Sequence, residues 1–159
     1  MKILVISDTH RRVLYLNDVL KKVGPIDALI HLGDVEGQED YICALADCPT
    51  YMVSGNNDFM SDLPREDVIE LKGHRIFLTH GHYYRVSMTT SLVADEAQRR
   101  GCDIAMYGHT HCPSVRRDGP VTVINPGSLG YPRQENRRPS YILMEIDTRG
   151  ECHYTINFL

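Results

Sequence analysis

This chain of 159 residues has no long apolar run, no closely spaced cysteine pair and no surplus of positive charge. Each absence excludes something. The opening MKILVISD is one lysine and a short aliphatic run stopped by Asp8. That is too short for the core of a secretory leader and far below the roughly 20 apolar residues that span a bilayer. No membrane association is expected. The five cysteines (Cys43, Cys48, Cys102, Cys112 and Cys152) are odd in number, scattered and never spaced CxxC. They read as reduced thiols in a cytoplasmic protein rather than as a disulfide framework or a structural zinc site. A net charge of -4 gives no general nucleic-acid-binding surface, so no nucleic-acid polymer is expected as a partner. With no linker, repeat or low-complexity stretch, residues 1–159 read as a single domain large enough to bury a proper core.

What is present is a regular alternation of apolar runs and polar turns. KILVISD is a strand candidate ended by Asp8. After the DTHRR turn, Val13, Leu16, Leu20 and Val23 follow near-helical spacing, and Gly24-Pro25 closes that helix. DALIHLGD is a second buried strand, a short helix is expected around Tyr41 to Ala46, and PTYMVSGNND repeats strand and turn. This β-α-β-α-β opening predicts a parallel sheet with right-handed crossovers. From Pro64 the character changes. VIEL and RIFLTH read as a hairpin across Lys72-Gly73-His74, and Met88 to Arg100 as a helix ended by Gly101. CDIAMYGHTH is another strand, Asp118-Gly119 signals a second hairpin, and SYILMEID with ECHYTINFL forms a closing one. A parallel half followed by an antiparallel half predicts two sheets packed face to face, with helices outside.

Seven side chains of metal-ligand type stand near the ends of these runs. They are Asp8 and His10 in ISDTH, Asp34 in HLGD, Asn56 in SGNND, His80 in FLTHGH, and His109 and His111 in YGHTH. No fragment is specific alone, but their order is informative. Run, turn and polar tip recur five times, which is how a parallel-sheet protein gathers ligands at one edge. Carboxylate oxygens mixed with imidazoles suit two divalent ions such as Mn, Fe or Zn.

The series D-x-H, G-D, G-N-x-D, H-G-H and G-H-x-H resembles that of the calcineurin-like metallophosphoesterases. NPGS at Asn125 to Ser128, followed by Gly130-Tyr131-Pro132-Arg133, is similar to the small, single-domain YfcE-type phosphodiesterase branch. The resemblance implies an α/β fold, a four-layer α/β/β/α sandwich of two mixed sheets flanked by helices. It implies two divalent metal ions, Mn foremost, with Fe, Zn, Ni or Co also compatible. The first ion falls to Asp8, His10, Asp34 and His111, the second to Asp34, Asn56, His80 and His109, with Asp34 bridging. The implied reaction is hydrolysis of a small phosphodiester by a metal-bridging hydroxide, without a protein nucleophile. A homo-oligomer is compatible with the resemblance. Two rivals are a phosphomonoesterase or protein phosphatase, and a non-catalytic scaffold of the retromer-subunit type. The complete ligand set counts against the scaffold. The short chain and one departure from the pattern count against the phosphatase.

That departure is Asn57, where many members of the superfamily carry a histidine placed to protonate the leaving group. An amide cannot act as a general acid at neutral pH. The candidate catalytic set is therefore Asp34, Asn57 and His82, the last as a substitute donor or phosphate contact. Tyr83-Tyr84 could stack a ligand or pack the cleft wall, and Arg133 could contact a phosphate. Arg11-Arg12 reads as charge at a helix start rather than as a substrate contact, although the macrodipole disfavours cations there. His31 reads as a hydrogen-bonded core residue and Asp58 as an orienter of its loop. Asn125 and Ser128 read as fixing the loop opposite the metals. His74, His153 and Cys112 read as bystanders.

Overall fold

A computed structural model describes residues 1–159. The first sheet has the order β10-β9-β1-β2-β3, from strands β1 (Lys2–Ile6), β2 (Ala28–His31), β3 (Thr50–Met52), β9 (Ser140–Ile146) and β10 (Cys152–Phe158). The second has the order β4-β5-β6-β8-β7, from β4 (Glu66–Leu71), β5 (His74–Thr79), β6 (Ile104–Met106), β7 (Ser114–Asp118) and β8 (Val121–Asn125). Helices α1 (Leu14–Val23), α2 (Glu39–Ala46) and α3 (Ser91–Arg99) complete the layers.

Strand alternation explains the packing. In β1, Ile3 and Val5 point to one face and join Ile76, Leu78, Ile104, Met106 and Ile124 of the second sheet in a core between the sheets. Leu4 and Ile6 point the other way, against Leu16 and Val19 of α1 and Ile42 and Ala46 of α2. On the far side, Phe77, Ala105 and Val123 meet Val93, Ala94 and Ala97 of α3. The order of layers is helix, sheet, sheet, helix. A strand buried on both faces must be apolar throughout, which is why KILVI reads as an unbroken run.

Two expectations need correction. The halves do not segregate by strand direction. The second sheet has parallel strands at its centre and antiparallel strands at both edges. In the first, the parallel strands β1, β2 and β3 run to one edge, while the closing hairpin returns on the other side and β9 pairs with β1, Lys2 opposite Glu145. Tertiary pairing of the chain's last strands with its first leaves no local sequence signal. Helix α3 starts at Ser91 rather than Met88, the preceding residues being spent on turns after a 3-10 segment at His82–Tyr84.

The parallel strands β1, β2, β3, β5, β6 and β8 end on one side of the sandwich. Each carboxyl end opens into a loop carrying candidate ligands, or, for β8, the NPGS segment. No helix is long and apolar enough to cross a membrane.

Candidate metal centre

The seven sequence-selected side chains converge. Asp8, His10, Asp34 and His111 offer donor atoms lying within 4.8 Å of one another. Asp34 Oδ2 stands 3.6 Å from His10 Nε2 and 3.6 Å from His80 Nε2, so it lies between two groups of donors. In the second group, Asn56 Oδ1 is 3.1 Å from His80 Nε2 and 2.9 Å from His109 Nδ1. His109 and His111, one residue apart, face different groups.

The ring orientations follow from outer contacts. His80 Nδ1 donates to the Leu32 carbonyl at 2.6 Å, and His111 Nδ1 to the Tyr131 carbonyl at 2.5 Å. His10 Nδ1 donates to Glu36 Oε1 at 2.6 Å. In each neutral ring the proton sits on Nδ1, leaving the Nε2 lone pair aimed inward. His80 Nε2 then faces Asn56 Oδ1, acceptor against acceptor, while His111 Nε2 faces Asp8 Oδ1 at 3.0 Å, where either a ring proton or a cation can join them. Asp8 Oδ1 and His10 Nε2 are buried with no hydrogen-bond partner. Such an arrangement is unfavourable without a cation between the atoms. Burial opposes charge on both Asp8 and His111. Their contact overrides it, holding Asp8 below the usual carboxylate range and His111 above the usual imidazole value. The donor set therefore fits divalent metal.

Backbone geometry presents these groups. Asp8, His10, Asp34, His109 and His111 have φ of 53°, 46°, 58°, 65° and 59°, so five of the seven lie in the left-handed region. That region costs a non-glycine residue energy, and such residues cluster at functional sites. Asp58 ties two of the loops together, accepting from the backbone N–H groups of Asp34 (2.8 Å), Glu36 (2.6 Å) and Gly55 (2.7 Å). Asn57 braces both oxygens of Asp34, its backbone N donating to Oδ1 at 2.8 Å and its Nδ2 to Oδ2 at 2.7 Å. Ser7 Oγ and the His109 backbone N both donate to Asp8 Oδ2.

The NPGS loop closes the wall. Asn125 Nδ2 donates to the Gly108 carbonyl and to Thr110 Oγ1, and Ser128 Oγ donates to the Asp8 carbonyl at 2.8 Å. His31 is fully buried, its Nε2 3.1 Å from Thr9 Oγ1 and its Nδ1 accepting from Gly33 N. Burial pulls its pKa down to about 4. His74 joins Asp103 and the Gly150 carbonyl, a structural tie between hairpins, while His153 is exposed near Asp147.

A cavity of about 560 Å³ opens over the donors and is lined by His10, Asp34, Asn56, Asn57, His109 and His111 together with Arg12, Arg133 and Arg137. The helix-start reading of Arg12 is corrected: its guanidinium lies 3.9 Å over the Tyr131 ring inside this cleft. His82 lines an adjoining depression with Asn56, Arg65 and Tyr83, its ring 5.5 Å from that of His80. The tyrosine pair divides. Tyr84 donates to Glu66 and packs edge-on against Phe77, whereas Tyr83 is exposed beside His82. Cys112 lies outside the cleft. Glu36, Ser7 and Tyr131 escaped sequence reasoning. Only the adjacency of Ser7 and Glu36 to Asp8 and Asp34 could have flagged two of them.

A two-sheet sandwich whose strand ends focus carboxylate, amide and imidazole donors on one cleft defines a class of metal-dependent phosphoesterases. The chain belongs to it: residues 1–149 match the calcineurin-like phosphoesterase superfamily domain. A probable metallophosphoesterase, YsnB of Bacillus subtilis, is 32% identical over 148 residues, covering 92% of this chain and 85% of YsnB. The phosphodiesterase YfcE of Escherichia coli K12 is 34% identical over 77 residues, covering 48% of this chain and 38% of YfcE. Among solved structures, wild-type Vps29 of Entamoeba histolytica complexed with zinc aligns with a TM-score of 0.79 and 26% identity, over 99% of both chains.

Proposed function

We propose that the protein hydrolyses small phosphodiesters with water as nucleophile, using two divalent ions. Asp8, His10, Asp34 and His111 hold one; Asp34, Asn56, His80 and His109 hold the other. The observation that carries this reading is the set of buried acceptors facing one another around Asp34, an arrangement that bound cations would relieve. When bound, the ions supply Lewis acidity, acidifying water and offsetting charge on phosphate oxygens. The chain's own residues orient the site. Asn57 fixes the plane of the Asp34 carboxylate rather than moving a proton, and Glu36 holds the His10 ring. His82 is assigned to the leaving-group side, since its depression adjoins the cleft at Asn56. Preference for a diester is supported by the lack of a proton donor at Asn57 and by the likeness to the phosphodiesterase YfcE. Mn suits an oxygen- and nitrogen-rich set of this kind. A scaffold role has the Vps29 likeness behind it, but seven competent donors in one cleft favour chemistry.

The test is hydrolysis of bis(p-nitrophenyl) phosphate against p-nitrophenyl phosphate with Mn, Ni, Co, Mg or chelator. Diester turnover that requires metal is expected. Asp34→Asn should lower kcat/KM by at least about a hundredfold while its circular dichroism stays native. No metal-dependent turnover of either ester would sink the enzyme reading in favour of the scaffold, and a preference for the monoester would make the protein a phosphatase.

A further inference from the structure

One rim of the cleft is built of arginine. Arg12, Arg133 and Arg137 line the same cavity as His10, Asp34 and His111. None of the three forms an ion pair, so no carboxylate competes for them; the arginines that do pair are Arg11, Arg99, Arg100 and Arg149, all outside this cavity. The Arg12 side chain and the backbone of the other two are also held in place. The Arg12 guanidinium donates to the Gly130 carbonyl at 3.1 Å and lies over Tyr131, whose ring meets His10 edge-on at 5.2 Å. One aromatic ring thus separates this charge from a candidate ligand. Arg133 N donates to the His111 carbonyl, and a turn in which Arg137 N donates to the Gln134 carbonyl brings Arg137 back to the same cavity.

Charge balance bears on what such a rim would hold. It rests on the phosphodiesterase reading above. Two divalent ions bring four positive charges, and Asp8 and Asp34 offset two of them. A diester monoanion and a water-derived nucleophile offset the rest, so the inner site is already neutral. Three guanidinium groups are then in excess of anything a simple diester presents, and planar guanidinium is the group best matched to phosphate oxygens.

We propose that the cleft takes phosphodiesters that carry a second, terminal phosphate. The scissile diester lies at the donor atoms and the second phosphate on Arg12, Arg133 and Arg137. The rim determines specificity rather than the reaction itself.

The dinucleotides TpT and pTpT share one scissile bond and differ only in the added phosphate. The Mn-loaded wild-type protein should have a KM for pTpT at least about tenfold lower than for TpT. In Arg133→Gln/Arg137→Gln, both exposed loop positions, that ratio should fall toward one. Calorimetry supplies a readout free of turnover. Thymidine 3′,5′-bisphosphate should bind the wild type at least about tenfold more tightly than thymidine 5′-monophosphate, and most of this margin should vanish in the double variant. A bisphosphate margin that is absent, or undiminished in the variant, overturns the inference whether or not the diesters are cleaved. An arginine-dependent margin without cleavage of TpT, pTpT or the chromogenic diester upholds the anion rim and removes the phosphodiesterase reading instead.

Discussion

Asp58 is the residue on which two loops of candidate ligands meet. Its carboxylate accepts three backbone N–H groups, one of them from Asp34 itself. Asp58→Asn would turn one acceptor oxygen into a donor facing a donor, leaving buried N–H groups without partners. Denaturant unfolding in chelator should show a loss on the order of 3 kcal/mol. An unchanged midpoint would show that the loops do not depend on it. At this scale the sequence was a good guide wherever a side chain ends a strand, since its position follows from the run before it. Asp58 could be assigned an orienting task for the same reason. Arg12 was misread because its partners, Gly130 and Tyr131, lie more than a hundred positions away, |i−j| being 118 for Gly130. No local pattern carries such a contact.

Between the two sheets, a close approach falls at Gly108, just beyond β6. A Cβ there would come within 2.0 Å of Ser7 Oγ and 2.8 Å of Asp8 Oδ2. The end of β6 in one sheet is thereby pressed against the end of β1 in the other, and the bare backbone lets His109 N reach Asp8 Oδ2. Gly108→Ala should wedge the strand ends apart, at a cost of about 2–3 kcal/mol in stability and with weaker Mn binding by calorimetry. Native stability with intact affinity would mean that the sheets have slack there. Elements themselves were legible because the period of burial differs between helix and strand. Sheet membership was not, as the return of β9 to β1 shows. Hairpins announce their turns locally, whereas the sheet that a hairpin joins is decided by which exposed edge and which apolar face remain to be covered.

For the whole molecule, His31 couples folding to acidity. It is neutral in the native core, with its pKa pulled down by burial from 6.5 to about 4. The unfolded chain binds the proton first as pH falls. Stability from this group is fully present above about 6.5 and is lost as pH falls toward 4, on the order of 3 kcal/mol in all. Denaturant midpoints of chelated protein, measured from pH 7 to pH 4, should fall more steeply for the wild type than for His31→Gln. Parallel curves would place the acid sensitivity elsewhere. The overall architecture was legible because aliphatic strands buried on both faces admit few arrangements, and covering layers on each side are the simplest of them.

The left-handed ligands have a consequence for descent rather than for chemistry. At about 1 kcal/mol each relative to glycine, five such residues make a handicap comparable to much of a domain's net stability. A lineage released from catalysis would gain robustness by letting aspartate and histidine at these turns drift to glycine or asparagine. Replacing one of the five with glycine should therefore stabilise the chelated protein while removing a candidate metal ligand.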